Sequence, residues 1–153
     1  MPEEKGNKVN RKRDAEPTLD ESTDIFTPDG WPRPKGYSNA VVLPHGRTLY
    51  IAGMVGWNEQ EKMVSTEIAG QFRQALKNIV SCARAAGSDI EFIGRMTIFV
   101  TDKQAYMESR SELGRAWRDV MGAHYPAMSL VEVKALLEED AVIEVEATGV
   151  VPG

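Results

Sequence analysis

Two stretches near the C-terminus alternate in side-chain character with a period of two, the repeat of an extended strand with one buried face. Along residues 142–148, Ile143, Val145 and Ala147 share one face, while Val142, Glu144, Glu146 and Thr148 share the other. Along residues 127–135, Ala127, Ser129, Val131 and Val133 oppose Met128, Leu130, Glu132 and Lys134. The acidic stretch joining them has no helical repeat and reads as a turn. Such strands need a core against one face and water or a polar partner against the other. Glu144 and Glu146 point the same way and repel each other unless water or donors separate them. A solvated outer face meets that condition, and so does a site built on it.

The upstream sequence supplies elements to cover the apolar face. Residues 66–86 place Ile68, Phe72, Ala75, Ile79, Cys82 and Ala86 at the helical period, with Ser65 or Thr66 as cap and Gly87 as stop. Residues 92–101, rich in β-branched and aromatic side chains, read as a strand. Asp102 then caps a second helix expected to run unbroken to Met121, with Gly122 beyond it. Its buried stripe is Tyr106, Leu113, Trp117 and Val120, and at 100° per residue Arg110 falls inside that stripe. Residues 38–43 and 48–55 read as a hairpin about a turn at 44–47, and residues 27–30 as a separate turn. The order β-β-α-β-α-β-β predicts an α+β fold, a mixed sheet with two helices on one face. Its open face is one that self-association would cover.

Residues 1–24 hold no aromatic side chain, few aliphatic ones and charges of both signs. They are expected to form a disordered tail, leaving residues 25–153 as one domain. The basic cluster at residues 8–13 is cancelled by neighbouring acids and reads as solvated tail. No apolar run is long enough to span a membrane and no secretory leader is evident, so a cytoplasmic protein is the expectation. The one cysteine, Cys82, falls on the first helix's apolar stripe and reads as an inert thiol. His45 and His124 are the only histidines, which excludes a multi-histidine metal centre within one chain. No metal or other cofactor is expected.

Several motifs in order along the chain carry a family resemblance. They are Gly36-Tyr37-Ser38-Asn39-Ala40-Val41, Tyr50-Ile51-Ala52-Gly53, Gln71-x-x-Gln74-Ala75-Leu76-x-Asn78, Thr97-Ile98-Phe99-Val100-Thr101-Asp102, Pro126-Ala127-x-Ser129-x-Val131-Glu132-Val133 and Ile143-Glu144-Val145-Glu146-Ala147. Together they resemble the RidA (YjgF) family of enamine/imine deaminases, also called endoribonuclease L-PSP-like. The resemblance implies the RidA-like (chorismate-mutase-like) fold and a homotrimer with small-molecule clefts between subunits. It further implies that Glu144 places a water for attack on a C=N carbon, with Tyr37 and the backbone at Gly53 lining the cleft. Four family positions differ here. The arginine that grips the substrate carboxylate is Met128, the serine before the glycine is Ala52, a nearby cysteine is Leu130, and an asparagine of the second helix is Arg110.

Met128 cannot hold a carboxylate, because a thioether offers no charge-assisted bond. Either the ligand has no carboxylate there or another cation grips it, and Arg110 is the candidate. Equally, its stem could cover apolar surface while its head reaches water. Ala52, Met54, Met128 and Leu130 would make the pocket roomier and more apolar, suiting a bulkier or more aromatic substrate than a short 2-imino acid. Trp57 and Tyr125 could frame such a ligand or simply pack. Three functions follow for comparison: an imine hydrolase, a non-catalytic small-molecule-binding or regulatory trimer, and a ribonuclease or translation inhibitor. The net charge of −5, with no basic aromatic cluster, argues against the last and against nucleic acid as a partner.

Overall fold

The alternation near the C-terminus is satisfied by a strand at the centre of a sheet. The computed structural model describes residues 22–153. Its strands are β1 (Asp24–Phe26), β2 (Ala40–Val42), β3 (Gly46–Met54), β4 (Ile93–Val100), β5 (Ala127–Glu132) and β6 (Ile143–Pro152). The helices are α1 (Ile68–Ala85), α2 (Lys103–Glu108) and α3 (Arg110–Met121). The main sheet has the order β3-β6-β4-β5, with β4 and β5 parallel and the other pairs antiparallel. It is an α+β fold with a mixed sheet, as the element order predicts.

The apolar face of β6 is fully used. Ile143, Val145 and Ala147 join Met96, Ile98 and Val100 of β4 beneath α1 and α3 in one core. Leu76, Ile79, Ile93 and Ile143 are completely enclosed, and each such side chain contributes about 1.5–3 kcal/mol relative to exposure. The opposite face carries Glu144 and Glu146 beside Phe99 and Thr97 of β4, in register with Val131 and Ser129 of β5. Tyr50 on this side is 79% exposed.

Several details depart from the sequence-based expectation. The strands near residues 38–43 and 48–55 exist but do not pair as a hairpin: β2 pairs with β1, and β3 with β6. Three-residue β2 offers little ladder, whereas β3 and β6 match over nearly their full lengths. Beyond β2, Leu43 lies over Gly94 of β4, where a Cβ would come within 2.9 Å of it. The expected tail, residues 1–24, falls largely outside the described residues, and Asp24 already belongs to β1. Glu67, not Ser65 or Thr66, occupies the N-cap of α1, while Ser65 Oγ accepts from the Glu67 N–H at 3.0 Å. Ala86 is exposed beyond the last turn, and Cys82 is half-buried against the core.

The second helix is not continuous. Ser109, at φ −101° and ψ 13°, ends α2 and begins α3. Serine is a weak helix-interior residue because its hydroxyl competes for nearby backbone groups. Arg110, Leu113 and Trp117 all follow the break and share one face of α3; Leu113 and Trp117 are buried along it, while Arg110, in the first turn at the helix end, is exposed. Asp102 does cap α2, accepting from the Ala105 N–H at 3.1 Å. Gly87 and Gly122 follow α1 and α3 with positive φ, a region that glycine enters without the steric cost a Cβ would bring.

Candidate functional site

Two groups of candidate residues form on different parts of the sheet. The first is built by a bulge. The β3–β6 register shifts between Ile51 and Met54, leaving Ala52 and Gly53 exposed and out of the ladder. Glu144 lies directly against Gly53: a Cβ there would sit 2.1 Å from Glu144 Oε1. Only glycine lets the carboxylate take that position. The pair sits on the helix-free face, with Glu144 opposite Phe99.

The second group lies at the far edge, along β5. Residues 37–39 run beside the start of this strand, held by the Ser38 N–H to the Pro126 carbonyl at 3.0 Å and a Ser38–Ala127 bridge. The Ser38 hydroxyl also donates to the Tyr125 carbonyl. This anchoring leaves Tyr37 44% exposed. Tyr37, Asn39, Arg95, Met128 and Ser129 line a cavity of 220 Å³. Within it Asn39 Oδ1 is buried and has no hydrogen-bond partner.

A larger cavity of 340 Å³ opens on the helix side of the same edge. Phe72, Tyr106, Trp117 and Tyr125 form its aromatic wall, with Met128 and Ile98 from the sheet. Trp117 and Tyr125 stack with centroids 5.6 Å apart and planes 11° from parallel. Lys35, Arg110 and Arg118 supply its charge. Burial pushes the Tyr106 phenol above its ordinary value, with the nearby Arg110 charge opposing that shift.

One chain thus brings Gly53 to Glu144, Tyr37 to Met128, and Arg110 to Met128. It does not bring Glu144 to the others. Met128 is in register with Met96 on the core side, whereas Glu144 is on the opposite face and two strands away, about 10 Å across the sheet. Leu130 packs against the core and lines neither cavity. Trp57 is bridged to Met63, away from both cavities. Lys35, Arg95 and Arg118 escaped sequence reasoning. For Arg118 a signal was present, since Arg110, Gly114 and Arg118 recur every four residues and so share one helix face. Among the described residues no cluster of three or more His, Cys, Asp or Glu side chains could hold a metal ion. No helix among them is long and apolar enough to cross a membrane.

Comparison with known proteins agrees with this architecture. The family model Endoribonuclease L-PSP matches residues 32–151. A RutC family protein of Pasteurella multocida is 33% identical over 129 residues, spanning 84% of this chain and 98% of its own length. The chain belongs to the RidA family. Another relative, the human 2-iminobutanoate/2-iminopropanoate deaminase, is 29% identical over 115 residues, 74% of this chain and 79% of that protein. Among solved structures, a protein of unknown function of the conserved Rid family from Yersinia pestis superposes with a TM-score of 0.75. It is 28% identical, and the match covers 84% of this RidA-family chain and 98% of that one.

Proposed function

We propose that this RidA-family chain hydrolyses an imine or enamine in a cleft completed by a second copy of itself, on a substrate bulkier and more apolar than 2-iminopropanoate. The observation carrying this reading is the separation of Glu144 and Gly53 from Tyr37, Met128 and Arg110 by two strands. A neighbouring copy can supply the missing half. Tyr50 and Val131, exposed on the helix-free face, give that face apolar surface for such contact, in a homotrimer as the family resemblance implies.

The chemistry asks little of the protein. Water adds to the carbon of a protonated C=N, its proton passing to Glu144, and a carbinolamine forms. The nitrogen takes that proton back, the C–N bond breaks as the hydroxyl's proton passes to Glu144, and a carbonyl compound and ammonia leave, the ammonia carrying that last proton away as ammonium. Holding water and imine in line supplies most of the rate enhancement, and a positioned carboxylate adds about 10²–10⁴-fold.

Ammonia release from imines generated in situ by an amino acid oxidase tests this reading, alongside sedimentation to count subunits. Glu144→Gln is expected to lower turnover by at least about 10²-fold. Unchanged turnover would return Glu144 to a solvated strand position. The second reading, a non-catalytic small-molecule-binding trimer, is favoured by Met128 standing where the family resemblance places the carboxylate-gripping arginine. Ligand binding with no ammonia release from any imine would select it.

A further inference from the structure

The helix-side cavity at the β5 edge carries three cations and no acidic side chain, on a chain whose net charge is −5. Among the described residues, neither Lys35, Arg110 nor Arg118 forms an ion pair with a carboxylate. Like charges gathered at one concavity repel one another unless an anion sits among them. Arg118 is also directed there. A Cβ on Gly114 would come within 3.2 Å of Arg118 Nη1, so the guanidinium folds back along α3 over the glycine towards the turn that bears Arg110. The Arg110 Nε donates to the Met107 carbonyl at 3.3 Å, which leaves its terminal nitrogens for another acceptor.

Beneath these cations the cavity is apolar and flat-sided. Trp117, buried between Phe72 and Tyr125, backs this wall, while half-buried Tyr125 and the Met128 thioether present surfaces that suit a ring, and sulfur–aromatic contact adds to the fit. At 340 Å³ the space is at the lower end of small-molecule sites, enough for one aromatic ring and a short acid arm.

We infer that this cavity binds a small aromatic carboxylate, its ring against Tyr125 and Met128 and its anion on Arg110 and Arg118, with Lys35 adding charge. The inference rests on the proposed imine hydrolysis in a cleft that joins this edge to a second copy, and it specifies the substrate as a 2-imino acid bearing an aryl group. Met128 then has a positive role: an arginine there would fill the ring's place. The grip on the carboxylate comes from a helix, on the side of the acid arm.

The test uses the full-length protein with phenylpyruvate as probe, benzoate as competitor, and titration calorimetry as readout. Phenylpyruvate is expected to bind saturably, and benzoate to displace it. Pyruvate, which lacks the ring, and 2-phenylethanol, which lacks the charge, are expected to bind at least about tenfold more weakly, the scale of one charge-assisted hydrogen bond or a buried ring. Arg110→Ala and Arg118→Ala alter exposed side chains, so the fold is retained, and each should weaken phenylpyruvate about tenfold. Equal affinity for pyruvate and phenylpyruvate, no binding of either, or indifference to both arginine substitutions would overturn the inference. Imine hydrolysis separates it from the parent reading. Cation-dependent phenylpyruvate binding without ammonia release from the phenylalanine-derived imine would remove the hydrolase and keep the cavity. Hydrolysis of the alanine- and phenylalanine-derived imines with equal kcat/KM would keep the hydrolase and remove the aromatic specificity.

Discussion

Replacing Gly53 with alanine isolates what the position of the Glu144 carboxylate is worth. The new Cβ would sit 2.1 Å from Oε1, while ordinary contact begins near 3.4 Å, so the carboxylate must retreat by at least about 1.3 Å. Only the end of a flexible side chain has to move, and Gly53 does not occupy a positive-φ conformation. Removing glycine's unfolded-state freedom offsets part of any cost, so stability should change by less than about 1 kcal/mol. A displacement of this size costs about 10²-fold in rate when a group must meet its substrate in line. The expected result is an unchanged melting temperature with turnover on an aryl imine about 10²-fold lower, comparable to Glu144→Gln. Steady-state ammonia release with calorimetric melting measures both quantities. Full activity in Gly53→Ala, with loss in Glu144→Gln, would show that the glycine does not position the carboxylate. Full activity in both would refute the catalytic assignment.

Two further outcomes follow from polar groups elsewhere. Gln71, 1% exposed, donates to the Ser65 and Asp140 carbonyls at 3.0 and 2.8 Å and accepts from the Val142 N–H at 2.9 Å, tying α1 to the entrance of β6. Gln71→Leu should therefore cost about 3 kcal/mol in urea unfolding, as buried backbone groups lose their partners, and a loss below about 1 kcal/mol would contradict this. The Tyr106 phenol titrates above the ordinary value of 10.0, chiefly because burial disfavours its charged form. A raised acid pKa means that the folded state holds its proton longer, so this contribution is present below pH 10 and is lost as pH rises through the folded value. Ultraviolet difference titration against Tyr106→Phe should show the shift, and Arg110→Ala should enlarge it; an unchanged shift in that variant would place the two groups apart.

Sequence alone sufficed wherever a local repeat carried the information. The period-two pattern assigned Ile143, Val145 and Ala147 to the core and Glu144 to the other face, because a one-residue slip would invert every side chain. Asp102, Gly87 and Gly122 marked helix boundaries through chemistry confined to one turn. The fold class followed from the order of these elements, and the family from the motifs along the chain.

What the sequence could not decide depended on contacts between distant segments. Pairing of β3 with β6 rather than β2 is a competition among ladders of different length, and neither strand's own pattern records the winner. The break at Ser109 makes Arg110 the first residue of a new helix, so the face that buries Leu113 and Trp117 brings Arg110 only to the rim of a cavity. Lys35, Arg110 and Arg118 share that rim because a loop, two turns of α3 and the β5 edge close around the same space. Side-chain chemistry is written locally, but the meeting of charges and rings is fixed only when the chain packs.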